Sequence, residues 1–261
     1  MKAVVSIAGS DSSGGAGIQA DIKTIAAHHL YAETVITALT AQNTLGVTGV
    51  HEVPAAFVSE QIDAVFSDIR PDAVKIGMVS SAEIIRAIAA GLDRWHAENI
   101  VVDPVMVATS GARLIGEDAI SALVEELLPR ASVITPNIPE AQVLCGRELS
   151  DEQSCERAAL ALAQSLSVDV LVKGGHGAHD ANDVLATQEG AIHWFRHEAI
   201  ATSNTHGTGC TLSSAIACGL ACGLAVPEAV SAAKEYLTGA LSAGLDLGRG
   251  SGPLDHMWQN A

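Results

Sequence analysis

Aromatic residues make up only 3% of this 261-residue chain: three Trp, two Tyr and three Phe. A core must therefore be filled by Ala, Val, Leu and Ile, and 48% hydrophobic residues is enough for a sizeable one. Basic residues are also scarce. Fourteen Lys and Arg stand against 30 Asp and Glu, a formal net charge of −16. Such a field argues against nucleic acid and anionic membrane as partners, and leaves an anionic substrate to be held by local donors and metal. No apolar run reaches the roughly 18 residues that a membrane span needs. The start, MKAVVSIAGSDSSGG, lacks the long apolar core and cleavage site of a signal peptide. Five cysteines, an odd number without a CxxC pair, speak against a disulfide framework and for a reducing cytoplasm. Cys218 and Cys222 read as two core-facing thiols on one helix face, since no His or carboxylate joins them at ligand spacing. No GxxxxGK[ST] occurs, which excludes a P-loop kinase, and neither the GxSxG hydrolase elbow nor HExxH is present.

What is there is a regular alternation of short apolar runs and longer periodic segments. Residues 3–8, 33–37, 73–77, 100–102, 132–134 and 169–172 read as strands. Residues 18–29, 54–67, 82–96, 117–128, 139–145, 152–166, 210–224 and 227–243 read as helices, and 183–186 with 191–198 as an antiparallel hairpin. Repeated strand–helix–strand order implies an α/β fold with a mainly parallel sheet covered on both faces. No linker or repeat interrupts it, so the expectation is one domain over 1–261. Ligands of such sheets bind beyond the carboxyl ends of the strands, and the polar clusters fall there.

The most informative cluster is Thr205-His206-Gly207-Thr208-Gly209-Cys210-Thr211, which leads into an Ala- and Leu-rich helix. Its glycines let the backbone turn tightly at a helix N-terminus, where free N–H groups and the dipole attract anions. Cys210 stands in the first turn, where the pKa of a thiol is expected to fall. A second glycine loop, Gly9 to Gly17, opens the first helix. It lacks the acidic residue that a dinucleotide site needs at the end of the next strand, so a floor for a small ligand fits better. Asp21 either faces that ligand or is a solvated helix residue. Gln42, in the polar stretch after residues 33–37, offers an amide that can pair with a ring nitrogen and its neighbouring amine, or merely cap a loop.

Met78 and Val105 follow two strand ends, where Met can pad a flat ring or belong to plain core. Asp103, held extended before Pro104, suits Mg2+ or its waters. Asn137 and Glu140 read either as oxygen ligands for a hydrated Mg2+ bridging to phosphates or as a helix cap. Lys173, before Gly174-Gly175, can neutralise phosphate oxygens or snorkel. His176 and His179 read as loop histidines, and His206 as a turn residue or a phosphate donor.

Seven of these stretches, taken in order, resemble one family. They are Ile7-Ala8-Gly9-Ser10-Asp11-Ser12, Gly14-Gly15-Ala16-Gly17-Ile18-Gln19-Ala20-Asp21, Lys75-Ile76-Gly77-Met78, Asp103-Pro104-Val105-Met106, Thr135-Pro136-Asn137-Ile138-Pro139-Glu140, Lys173-Gly174-Gly175-His176 and Asn204 to Thr211. The chain resembles the hydroxymethylpyrimidine/phosphomethylpyrimidine kinases of the ribokinase-like superfamily, which serve thiamine biosynthesis. The resemblance implies a three-layer α/β/α fold and transfer of the γ-phosphoryl of ATP, with Mg2+, to 4-amino-5-hydroxymethyl-2-methylpyrimidine and then to its monophosphate. By the same resemblance Gln42 pairs with the pyrimidine, Gly9, Ala16, Met78 and Val105 surround the ring, and Asp21 lies at that end of the pocket. Asn137 and Glu140 match the Mg2+/phosphate motif, and Gly207, Thr208 and Gly209 the anion hole. Cys210 stands where sugar-kinase relatives carry an aspartate base. A cytoplasmic homodimer is the usual state of such relatives.

Three rivals remain at this level. Pyridoxal kinase is the nearest, though Gln42 favours an aminopyrimidine. A hydrolase or acyl transferase using Cys210 as nucleophile would need a His base and an orienting group. A silent ligand-binding regulator would not need base, lysine, metal motif and anion hole together. The stretches 109–113 and 175–182 are polar, glycine-bearing candidates for a loop that closes the pocket.

Overall fold

Valine and isoleucine alternate along the central strands so that successive side chains enter opposite faces of one sheet. The computed structural model describes residues 1–106, 116–174 and 181–260. In it nine strands form a single sheet in the order β3-β2-β1-β4-β5-β6-β7-β8-β9. These strands are β1 (Ala3–Asp11), β2 (Tyr31–Asn43), β3 (Gly46–Glu52), β4 (Ala73–Ile76), β5 (Ile100–Val102), β6 (Val133–Ile134), β7 (Asp169–Val172), β8 (Asp183–Ala186) and β9 (Ile192–Phe195). From β2 to β7 all neighbours are parallel, whereas β2–β3, β7–β8 and β8–β9 are antiparallel.

Val5, Ile7, Val74, Ile76 and Val102 face one apolar layer, shared with α2 (Ala55–Phe66), α3 (Ala82–Trp95), α4 (Glu117–Ala122), α5 (Ile138–Cys145) and α6 (Glu152–Leu166). Val4, Ala73, Val101 and Val133 face the other, shared with α1 (Gly17–Ala27), α7 (Thr208–Ala221) and α8 (Val226–Ser242). This is the expected three-layer α/β/α arrangement. From β1 the chain crosses to β2 on one side and later returns to β4 on the other. That reversal opens a crevice at the carboxyl ends of β1 and β4, where such sheets bind ligands.

Two expectations need correction. Residues 117–128 form no single α-helix: a π-helical turn, Leu123–Leu127, follows α4, and a 3-10 turn, Leu128–Arg130, closes the segment. Pro129 lacks the N–H that a continuing α-helix would use. β2 does not stop at residue 37 but runs to Asn43 and turns back into β3, which the sequence did not reveal. Every residue of β3 is exposed, so no alternation marked it. The candidate closing stretch 109–113 lies outside the described residues, as do 175–180 of the second.

On β2, Glu33 has a buried Oε2 without a hydrogen-bond partner. Burial first, and Asp68 second, push its carboxyl up to about 7. A raised carboxyl favours the protonated fold, so its contribution is present below the ordinary carboxylate range and is lost as pH rises through 7. Glu33→Gln is therefore expected to raise Tm at pH 8 but not near pH 4. The gain is on the order of 1 kcal/mol, because solvent screens this half-buried group. Melting curves at the two pH values check it.

Candidate active site

The glycine loop after β1 is shaped by Asp11. Its carboxylate accepts from the N–H groups of Ser13 (2.8 Å), Gly15 (3.1 Å) and Ala16 (2.8 Å) and from the Ser13 hydroxyl. Desolvation pushes Asp11 up, but these bonds and His206 outweigh it and hold the carboxyl below its ordinary value. His206 Nε2 lies 2.8 Å from Asp11 Oδ2, so the loop before α7 is tied to the loop before α1. The expectation of a turn residue or a phosphate donor missed this link.

Gly207 completes the junction, with φ at 88° and a Cβ position that would fall on the carbonyl oxygen of Gly15. No side chain caps α7 there, and its first turn stands beside Asp103 and Lys173 at Gly209. Gly207→Ala would add left-handed strain of about 1–2 kcal/mol and force the two loops apart. It is expected to reduce kcat at least tenfold while the fold survives, checked by steady-state kinetics beside circular dichroism.

The residues expected at the ring gather at the ends of β1, β2, β4 and β5. A Cβ on Gly9 would sit 2.9 Å from Met78 Cε. Ala16 is the residue before α1, and Val105 follows β5, its N–H bonded to the Asp103 carbonyl at 2.8 Å. Gln42 projects from the extended β2. Its Oε1 accepts from Thr40 Oγ1 at 3.1 Å, and its Nε2 stands 3.5 Å from His206 Nε2. Asp21 does not join them and is neither ligand-facing nor solvated. It is fully buried, with Lys75 Nζ at 2.8 and 2.9 Å, the Ser214 hydroxyl at 2.8 Å and the Ser6 hydroxyl on its oxygens. Its three donor groups come from β1, β4 and α7, so Asp21 braces the floor beneath the crevice. Nothing in the helical spacing of Asp21 showed that Lys75, on a strand otherwise apolar, was its partner.

The residues expected at the phosphates come from the ends of β5, β6 and β7. Lys173 Nζ is 2.6 Å from Asp103 Oδ1, which also accepts from Thr135 Oγ1 at 3.2 Å. A Cβ on Gly209 would lie 3.2 Å from Asp103 Oδ2 and 3.4 Å from Lys173 Nζ, so the anion loop meets this pair directly. Thr208 begins α7 beside it. Asn137 and Glu140 form a capping box at α5: Glu140 Oε2 accepts from the Asn137 N–H at 2.9 Å, and Asn137 Oδ1 from the Glu140 N–H at 2.8 Å. Both alternatives read from the sequence therefore concern the same residues, since the cap fixes where the carboxylate points. Burial pushes Glu140 up to about 7, against the pull of Lys173.

The donor set suits a hydrated cation better than a caged one. Among the described residues no group of three His, Cys, Asp or Glu is gathered to hold a metal. Buried Glu140 would supply one hard oxygen ligand to such an ion, and the rest of a Mg2+ shell would be water and phosphate. Asp103 is different from what was expected of it. Its Oδ1 is taken by Lys173 and Thr135, so it orients the lysine, while its Oδ2 faces the Gly209 turn.

Cys210 lies between the two groups. The Gly17 N–H points at its sulfur, and Lys75, Asp21 and Asp103 are near enough to act on it electrostatically. The expected fall in pKa is not found. Burial pushes the thiol above its ordinary value, with Asp21 and Asp103 adding to the rise and Lys75 and the Gly17 N–H opposing it. Among the described residues no histidine is paired with it as a nucleophilic thiol would need; His206 is engaged by Asp11 instead.

Comparison with known proteins shows the family. A family model described as phosphomethylpyrimidine kinase matches residues 11–255. The chain is 54% identical over 256 residues to the hydroxymethylpyrimidine/phosphomethylpyrimidine kinase of Rhizobium meliloti, covering 97% of this chain and 96% of that protein. It is 53% identical over 255 residues to the thiamine biosynthesis bifunctional protein ThiED of Geobacter sulfurreducens, covering 97% of this chain but only 52% of that longer protein. Among solved structures, an ADP complex of Bacillus subtilis pyridoxal kinase superposes with a TM-score of 0.92 at 36% identity, over 100% of this chain and 99% of that one. With the match running through both glycine loops, the capping box and the lysine strand, this chain belongs to the phosphomethylpyrimidine kinase family of phosphotransferases.

Proposed function

We propose that this chain transfers the γ-phosphoryl group of ATP, with Mg2+, to the hydroxymethyl group of 4-amino-5-hydroxymethyl-2-methylpyrimidine and then to the resulting monophosphate. The observation that carries the reading is the convergence of Gly209, Lys173 and Asp103 beside Cys210 at the open N-terminus of α7. The strand order supports it. Ring-side residues stand mainly on β2, β1 and β4, phosphate-side residues on β5, β6 and β7, and the thiol between them. In this reading Gln42 recognises the aminopyrimidine edge, while Gly9, Ala16, Met78 and Val105 enclose the ring. Gly207, Thr208 and Gly209 cradle the transferring phosphoryl group with backbone N–H groups. Lys173, steered by Asp103, neutralises its oxygens, and Cys210 accepts the proton of the substrate hydroxyl. Asn137 aims Glu140 at the waters of Mg2+, which would offset charge on the phosphates. One sheet containing all nine strands is consistent with one working domain over 1–261. A homodimer in the cytoplasm is part of the same reading, and light scattering of the purified chain tests the former.

The pyridoxal kinase likeness favours a second reading, since both substrates are flat nitrogen heterocycles with a hydroxymethyl arm. An ATP-consumption assay with the hydroxymethylpyrimidine, its monophosphate and pyridoxal side by side decides between them. The pyrimidines are expected to show the higher kcat/KM; a strong preference for pyridoxal would reverse the assignment.

A further inference from the structure

The segment that follows α8 is not a passive tail. It runs back along the carboxyl edge of the sheet and touches both halves of the site. The Arg249 and Gly250 N–H groups donate to Thr44 Oγ1 at 3.2 and 3.3 Å, two residues beyond Gln42. The Gly252 carbonyl accepts from the His206 N–H at 3.0 Å, and the Gly252 N–H donates to the Ser203 carbonyl at 3.2 Å. The segment then dives inward. His256 is buried beneath the first turn of α7, its Nε2 3.0 Å from Thr211 Oγ1, and its carbonyl accepts from the Tyr236 hydroxyl at 2.6 Å.

The Thr211 hydroxyl stands between the Gly207 carbonyl at 2.8 Å and His256 Nε2 at 3.0 Å. The same carbonyl accepts from the Thr211 N–H at 2.9 Å, and the imidazole is also bonded to the Leu254 backbone. A chain of two bonds thus leads from His256 to Gly207, the residue that shapes the anion loop. We infer that His256 is a positioning residue for phosphoryl transfer, acting through Thr211 to hold the Gly207–Gly209 loop in the shape that receives the transferring group. The assignment rests on the kinase reading only for its effect on rate. The grip itself is a property of the fold. Burial and Lys23 lower the His256 imidazole to about 4, so it stays neutral through the working pH range.

The test uses the full chain with His256→Leu, His256→Gln, Thr211→Val and the double variant. His256→Leu is expected to lower kcat about tenfold for both pyrimidine acceptors, with KM for the pyrimidine within about twofold. His256→Gln, which keeps a polar group able to donate to or accept from Thr211, is expected to recover most of that loss. Thr211→Val, which cuts the link from the other end, should cost as much alone as the double variant does. Amide hydrogen exchange at residues 208–211 should quicken in His256→Leu. If His256→Leu folds poorly, Thr211→Val gives the same comparison of kcat and exchange. Additive losses in the double variant, an unchanged kcat, or a loss that glutamine does not relieve would each overturn the assignment. If the unaltered chain phosphorylates neither pyrimidine, the kinase reading falls, while unchanged exchange in His256→Leu is what refutes the grip.

Discussion

Cys210→Ala is expected to lower kcat for the hydroxymethyl acceptor about 100-fold, and kcat for the monophosphate acceptor less than about fivefold. The asymmetry follows from the acceptors. An alcohol must lose a proton on its way to a phosphate ester, and a positioned base typically contributes about 10²–10⁴ to such a step. The lower end applies here, because a loose transition state asks for little bonding to the nucleophile and hence for late deprotonation. A phosphomonoester has its second pKa near about 6, so at pH 8 its attacking oxygen carries no proton to remove. The raised thiol adds a second signature. Only a small fraction is thiolate at neutral pH, so the rate on the alcohol should climb with pH from 7 to 9 and the rate on the monophosphate should not. Separate single-turnover measurements on the two acceptors decide the matter. Equal losses in both steps would make Cys210 a structural part of the α7 turn rather than a base.

Most of the architecture was legible because apolar periodicity carries it. The strand pairs of the centre and helices such as α6 follow from runs of Val, Ile, Leu and Ala bounded by Gly, Pro and Asp. What escaped was set by partners distant in sequence. β3 has no buried face, so its pairing with β2 depends on hydrogen bonds that leave no hydrophobic trace. Asp21 looked like an ordinary helical carboxylate until the fold put Lys75 on its oxygens from across the sheet. His206 and Asp11 are nearly two hundred positions apart, yet one bond between them joins the loop before α1 to the loop before α7. The thiol was misjudged for a related reason. A helix N-terminus is visible in sequence, but the burial that outweighs it, and the carboxylates of Asp21 and Asp103 nearby, are not. The motif residues were legible as a set of polar clusters at strand ends. Which of them stand together came from the fold alone.

Lys173→Gln is expected to lower kcat about 10²–10³-fold for both acceptors alike. The lysine is fixed by its backbone before its side chain acts. Its N–H donates to the Pro136 carbonyl at 2.8 Å, and the next N–H, of Gly174, donates to Asp183 Oδ1 at 2.8 Å. Asp183 is itself held by Lys234 at 2.8 Å, a buried pair that anchors the end of β7. The ammonium therefore stands at a set place beside Gly209, where negative charge gathers on the transferring group whichever oxygen attacks. Glutamine is the informative replacement because it keeps an N–H donor for Asp103. A wholly apolar residue would strand that buried carboxylate at a cost of about 3–5 kcal/mol and confuse lost catalysis with lost folding. Rapid-quench kinetics on both acceptors, with the melting temperature of the variant measured beside them, provide the check. A loss confined to the alcohol would move Lys173 from charge stabilisation to the same proton transfer as Cys210. A loss that tracks the melting temperature alone would make the lysine a brace for Asp103.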